Sequence, residues 1–139
     1  MTAVDSAQFH WPVRVYIEDT DAGGIVYHAR YLHFMERART EWVRSQGIAL
    51  RRGLDENVSY VVQKMAIQFR QPAKLDDELW VTAVLTGSGR VWFGFDQKVI
   101  RQSDGAVLAE ADVKVACVAL DSGRPRALPE SMQAIVREQ

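Results

Sequence analysis

The period of the apolar residues changes twice along this chain, into one long helix and out of it, and that change limits the fold more than any other feature. From about Ala29 to Gln46, Tyr31, Met35, Ala38 and Trp42 recur at i, i+4, i+7 and i+11, with Leu32, Phe34 and Val43 beside them. Arg37, Thr40, Glu41 and Arg44 lie mostly away from that stripe, as an amphipathic helix requires, and Gly47 supplies a stop. Farther on, the period is two. Val61, Met65, Ile67 and Phe69 share one face before Gln71-Pro72, and Leu79, Val81, Ala83 and Leu85 alternate up to Gly87-Ser88-Gly89. Val91, Phe93, Phe95 and Val99 follow as far as Ser103-Asp104-Gly105. Val107, Ala109, Ala111, Val113, Val115 and Cys117 then run to Asp121-Ser122-Gly123. Each stretch reads as a half-buried strand closed by turn residues. One more alternation, Val13, Val15 and Ile17 against Arg14, Tyr16 and Glu18, precedes the helix. Ile48 to Asn57 is a connection with room for one helical turn, and Pro129 is placed to open a short terminal helix.

The order is strand, long helix, then four strands joined by short turns. Short turns demand antiparallel neighbours, and no alternation of strands and helices exists to build a parallel sheet. The economical packing is α+β, with a curved sheet of about five strands over the stripe of one helix. No repeat or shift in composition divides residues 1–139, so one domain is expected. Apolar residues at 47% and charged residues at 25% exclude a disordered chain. With 17 basic and 18 acidic residues the net charge is −1, which gives a nucleic acid no bulk attraction. A single cysteine, Cys117, excludes an intrachain disulfide and a cysteine-cluster metal site, and fits a reducing, cytoplasmic setting. The opening from Met1 to Pro12 has no basic region followed by an apolar one, so no secretory leader is expected. No apolar run is long enough to span a membrane.

Chemistry concentrates in Glu18-Asp19-Thr20-Asp21-Ala22-Gly23-Gly24-Ile25-Val26-Tyr27-His28, between a strand and the helix. Asp19, Asp21 and Gly24 match the first, third and sixth places of a calcium loop, but Arg30 stands where the bidentate glutamate belongs. A phosphatase with an aspartate nucleophile needs a larger parallel α/β body. Asp19, Asp21 and His28 have no recognised metal-ligand spacing, so no metal is assigned. As pure structure, Asp19 would make an Asx turn, the glycines would serve tight backbone geometry and His28 would be a helix-start residue. The helix, however, begins near His28 with no Ser, Thr, Asp or Asn as cap. Its first N–H groups are therefore free to face water or a ligand. Free donors at the positive end of a helix, with a carboxylate a few residues earlier, are the minimum equipment for acyl transfer.

The same residues resemble a known family. Trp11 to Tyr16, Glu18 to Tyr31 and Glu36-Arg37-Ala38-Arg39-Thr40-Glu41 closely resemble the YbgC-type acyl-CoA thioesterases, which belong with the 4-hydroxybenzoyl-CoA thioesterases in the hotdog-fold superfamily. The likeness continues through Lys64-Met65, Pro72 to Asp77 and Arg124 to Pro129, nearly the whole chain. It implies a hotdog fold and hydrolysis of an acyl-CoA without metal or cofactor. Asp21 would be the catalytic acid, as nucleophile or general base. The backbone N–H at His28 would hold the thioester oxygen, and the His28 side chain would orient substrate or water. Tyr27 is the neighbouring candidate for substrate binding. Arg90 and Arg126, with Arg124, are candidates for the CoA phosphates. Asp19 is assigned to loop structure.

Other residues are given structural readings. Glu36 is expected to pair with neighbouring arginines and Cys117 to be buried and inert. Trp80 and Trp92 fall opposite the main stripes, on a second surface. The resemblance further implies edge-to-edge dimers or tetramers with active sites at the subunit boundary, and a link with the Tol–Pal cell-envelope cluster, phospholipid metabolism or acyl carrier protein. The rival class is a non-catalytic acyl- or acyl-carrier-protein-binding module. A hotdog hydratase or dehydratase, using an Asp/His pair, is a third. The acyl group itself is not readable from one chain.

Overall fold

The computed structural model of the chain describes residues 4, 5 and 7–138. Residues 1–3, the start of the segment read above as no leader, lie outside them. The elements are β1 (His10–Arg14), α1 (His28–Ser45), α2 (Arg51–Asp55), β2 (Val58–Phe69), β3 (Glu78–Thr82), β4 (Val84–Ser88), β5 (Trp92–Arg101), β6 (Val107–Ala119) and α3 (Glu130–Glu138). All strands pair antiparallel in one sheet, in the order β1-β3-β5-β6-β2, with β4 beside β5. This is the α+β hotdog arrangement the sequence led to. α1 buries Tyr31, Phe34, Met35, Ala38, Trp42 and Val43 against Phe93, Phe95 and Val99 of β5 and Ala109 to Cys117 of β6. The stripe read from the sequence is the buried face of α1, and Leu32 beside it is exposed.

Six strands replace five because the expected third strand breaks at Ala83. β3 and β4 keep one continuous register along β5 (Val81 opposite Val99, Val84 opposite Asp96), so they are one strand with an interruption. At the break the Ala83 N–H goes to the Phe9 carbonyl (3.3 Å), while the Thr82 carbonyl accepts from the side chain of Gln97 (3.2 Å). Gln97 lies fully buried on the core face of β5. Its Nε2 also donates to the Met35 carbonyl of α1 (3.0 Å), and its Oε1 accepts from Arg39 (2.9 Å). One amide thereby ties helix, strand and strand break together, and no buried side-chain nitrogen or oxygen among the described residues lacks a partner.

Two other expectations are corrected. The first strand spans His10–Arg14, not Val13 to Glu18, because the chain curls into a 3-10 turn at Ile17–Asp19. The Asp19 and Thr20 N–H groups return to the Tyr16 and Ile17 carbonyls (both 3.0 Å), and Ile17 is left exposed. In β2 a bulge between Val62 and Lys64 shifts the parity. Val58, Tyr60 and Val62 share the face of Met65, Ile67 and Phe69, and Val61 points the other way, opposite Ala116. The helical turn in the connection is α2, and α3 begins directly after Pro129.

Trp92 lies on the outer face, its ring under Lys114 Nζ (4.7 Å). A Cβ on Gly89 would come within 2.2 Å of the Trp92 indole nitrogen, so this turn accepts only glycine. Replacing Gln97 with the near-isosteric leucine removes all three bonds and leaves Arg39 without its acceptor. Gln97→Leu is expected to cost about 2–4 kcal/mol, read as a lower urea midpoint at unchanged m-value.

Candidate active site

The residues from Asp19 to Tyr27 form a tight hairpin leading straight into α1. Thr20 and Val26 pair as an antiparallel bridge. The Asp21 N–H donates to the Ile25 carbonyl (2.9 Å), and Tyr27 N–H donates to the Asp19 carbonyl (2.9 Å). Gly24 closes the tip at φ +82°, a conformation that favours glycine. The two acids occupy different worlds. Asp19, at the base, is 7% exposed; its Oδ2 accepts from the Tyr16 N–H (2.9 Å) and its Oδ1 lies 3.6 Å from Arg30 Nε. Asp21, at the tip, is exposed, and its Oδ1 accepts only from the Gly23 N–H two residues on (2.8 Å) among the described residues. Asp19 holds the loop; Asp21 is left available.

The helix start is as bare as its sequence implied. Tyr27 is the N-cap residue, in extended conformation, and no side chain caps α1. Arg30 N–H turns back to the Tyr27 carbonyl (2.8 Å), which leaves the N–H groups of His28 and Ala29 as the outward donors of the first turn among the described residues. Tyr27 and His28 are exposed, with ring centroids 4.6 Å apart. Beside them opens a groove of about 280 Å³ lined by Ile25, Val26, His28, Tyr31, Phe69 and Pro72, together with Arg70 and Gln71. Phe69 meets both His28 (6.3 Å) and Tyr31 (5.4 Å) in T-shaped ring contacts. The arrangement sets an exposed carboxylate, uncapped helical N–H groups and an apolar groove next to one another. That combination suits attack on a carbonyl whose oxygen becomes negative.

Asp21, Tyr27 and His28 therefore stand on one hairpin and the helix start it leads into, with Tyr27 and His28 in ring contact. Arg90 and Arg126 are not. Both lie at the other end of the sheet, where Leu128 N–H meets the Arg90 carbonyl (3.0 Å) and Arg126 N–H meets the Cys117 carbonyl (3.1 Å). Phe69, beside His28, pairs with Ala109 near the opposite end of β5. β5 has 10 residues, so the separation is roughly 30 Å at about 3.3 Å per residue. The Arg126 guanidinium donates to the carbonyls of Glu56 (2.8 Å), Asn57 (3.3 Å) and Ala127 (3.3 Å), a structural duty. Arg90 and Arg124 are exposed.

Glu36 also departs from expectation. No arginine lies within ion-pair distance of it among the described residues; Arg39, three residues on, bonds to Gln97, and burial lowers the Arg39 pKa against the opposing charge of Glu36. Cys117 is fully buried, and burial pushes its thiol up, away from reactivity. Among the described residues no three His, Cys, Asp or Glu side chains converge as a metal ion would need. Sequence reasoning missed the segment Pro72 to Asp77 as part of the site. Its Ala73 carbonyl accepts from the Val26 N–H (2.9 Å), and Lys74 bridges to Ile25. The signal was the family likeness, which runs through Pro72 to Asp77.

A sequence model described as the thioesterase-like superfamily matches residues 15–136. The acyl-CoA thioester hydrolase YbgC of Escherichia coli O6:H1 is 43% identical over 131 residues, 94% of this chain and 97% of its own length. The acyl-CoA thioesterase YbgC of Haemophilus influenzae is 46% identical over 127 residues, 91% of this chain and 92% of its own. Among solved structures, Slr0204, a 1,4-dihydroxy-2-naphthoyl-CoA thioesterase from Synechocystis, matches with a TM-score of 0.86 at 25% identity, covering 95% of this chain and 97% of that one.

The two acids separate in stability measurements. Asp19→Ala takes the acceptor from the part-buried Tyr16 N–H and leaves Arg30 with Glu18 alone, and is expected to cost about 1–3 kcal/mol. Asp21→Ala, at an exposed tip, is expected to stay within about 0.5 kcal/mol of the parent. Thermal unfolding of the two variants side by side checks both.

Proposed function

The chain belongs to the thioesterase-like superfamily, and from that premise we propose that it hydrolyses the thioester of an acyl-CoA to free acid and CoA, with Asp21 as the catalytic carboxylate. The observation that carries the reading is the exposed Asp21 on a hairpin whose other end is an uncapped helix. The thioester carbonyl oxygen points at the N–H of His28, which meets the charge developing there. Asp21 either adds to the carbonyl carbon, giving an acyl anhydride that water then cleaves, or removes a proton from the attacking water. In both routes the C–S bond breaks and CoA leaves as a thiolate that needs little protonation, so no further acid is required. His28 and Tyr27 flank the thioester, and the acyl group or its pantetheine lies in the groove beside Phe69 and Pro72. The acyl donor is CoA, with acyl carrier protein as the alternative carrier.

The reading includes a homo-oligomer, dimer or tetramer. β2 is a sheet edge of 12 residues with Val61, Val62 and Phe69 exposed, a surface that favours pairing with a second copy. Antiparallel pairing along that edge sets the Phe69 end of one copy beside the Val58 end of the other. Arg90 of the second copy then approaches the first copy's Asp21 and is the phosphate contact. Arg126 holds the backbone beneath it. Among the described residues no helix is long and apolar enough to cross a membrane; with one buried free thiol, a reducing cytoplasm is the proposed setting.

Thiol release from a panel of acyl-CoAs is expected to fall at least a hundredfold in Asp21→Asn and Asp21→Ala with folding and mass unchanged. A parent protein that releases no thiol, or variants that match it, would favour the acyl- or carrier-protein-binding module instead. A single turnover in heavy-oxygen water that leaves label in Asp21 shows direct attack, with the anhydride opened at the Asp21 carboxyl carbon; label in the acid alone fits base catalysis or opening at the acyl carbon, and trapping of an acyl-Asp21 by hydroxylamine separates those two. Arg90→Ala is expected to raise KM about tenfold for acyl-CoA and leave an acyl-pantetheine unchanged. A monomeric mass by light scattering would overturn the shared site.

A further inference from the structure

Tyr31 is counted by its spacing as a core residue, yet it is the one member of the α1 stripe whose polar atom reaches across to the segment that braces the catalytic hairpin. Its ring is buried between Phe34 (6.2 Å) and Phe69 (5.4 Å) and is 3% exposed. Its hydroxyl accepts the Ala73 N–H at 2.9 Å, a buried hydrogen bond between positions 42 apart in sequence. Ala73 is itself fully buried, and its carbonyl accepts the Val26 N–H at 2.9 Å. Val26 is the strand partner of Thr20, next to Asp21, and stands two residues before His28. A continuous path of two hydrogen bonds thus runs from the first turn of α1, through one peptide unit of the Pro72–Asp77 segment, back to the hairpin that carries the acid.

The far side of that segment is anchored independently. Arg101 donates to the Pro72 carbonyl (3.2 Å) and to Asp77 (3.3 Å), Asp77 accepts the Lys74 N–H (2.9 Å), and Val15 and the 76–77 peptides exchange N–H donors (2.9 and 3.0 Å). Removing the Tyr31 hydroxyl therefore leaves the segment in place and frees only the link to the helix start. That is the placement of a group whose work is registering Asp21 against the N–H of His28.

We propose that Tyr31 is a positioning residue, setting through Ala73 and Val26 the distance between the Asp21 carboxylate and the oxyanion-binding N–H of α1. The proposal rests on the thioesterase reading and goes beyond it, since Tyr31 touches no reacting atom. A displacement of the order of an ångström between a catalytic group and its target is enough to cost a large factor in rate.

The test is Tyr31→Phe, which keeps the ring among Phe34 and Phe69 and deletes one oxygen. Expected are a kcat lowered about tenfold, KM within twofold of the parent, a pH–rate profile of unchanged shape, and faster exchange of the Val26 amide by NMR. Phe34→Leu, a core change on the same helix with no polar atom, serves as the stability control. It is expected to lower the Tm at least as much while leaving kcat within twofold. A Tyr31→Phe enzyme with parental kcat, a kcat loss matched by Phe34→Leu, or loss of the alkaline limb of the profile each overturns the positioning role. The last outcome would make Tyr31 a proton donor. Asp21→Asn in the same assay shows separately whether the catalytic reading fails. If it does, the amide exchange at Val26 still decides whether the link exists, and parental exchange in Tyr31→Phe rejects it.

Discussion

Burial of the α1 stripe on the sheet is the constraint from which the rest of the molecule follows. Six residues of an 18-residue helix are taken out of water against β5 and β6, and burial of that kind is the dominant favourable term in folding. A helix held so firmly along its length has little freedom at its ends. Its N-terminus emerges beside Phe69 and Ala73, and its C-terminal half packs Trp42 edge-on to Phe95 (5.1 Å). The orientation of the helix dipole toward the hairpin is thus a consequence of core packing. Gln97 adds direction to what apolar contact alone would leave loose, because three hydrogen bonds with fixed geometry have only one satisfactory arrangement.

The hairpin illustrates how two identical side chains acquire different duties within three residues. Asp19 is buried, accepts a backbone N–H and faces a guanidinium, so its charge is spent on structure. Asp21 has only the Gly23 N–H and stands in water in the single chain. A carboxylate in that position retains the oxygen lone pairs that a nucleophile or base must offer. In the proposed reaction the uncapped helix completes the pair, since a side-chain cap would have filled the donors that a developing oxyanion needs.

Much of this was legible in the residues. The switch of period placed α1 to within one residue at each end and found the core faces of β5 and β6. The missing N-cap before His28 and the glycines around Asp21 pointed to the hairpin. What failed did so for local reasons that periodicity does not carry. The bulge in β2 moves Val61 to the outer face by inserting one unpaired residue. The break at Ala83 arises because a glutamine 14 positions later, Gln97, supplies the donor for the Thr82 carbonyl, 15 residues away. The first strand ends early because Asp19 and Thr20 offer its backbone other partners.

Element type, the single long helix, the antiparallel connections and the identity of the acid-bearing loop were determined by the sequence itself, since each rests on spacing and turn chemistry within a few residues. The separation of Arg90 and Arg126 from Asp21, the bond of Arg39 to Gln97, and the bond from Tyr31 to Ala73 were decided only by the tertiary structure. Each depends on which distant segments the sheet brings side by side, and a hydrogen bond across 42 residues leaves no periodic trace in the chain that makes it.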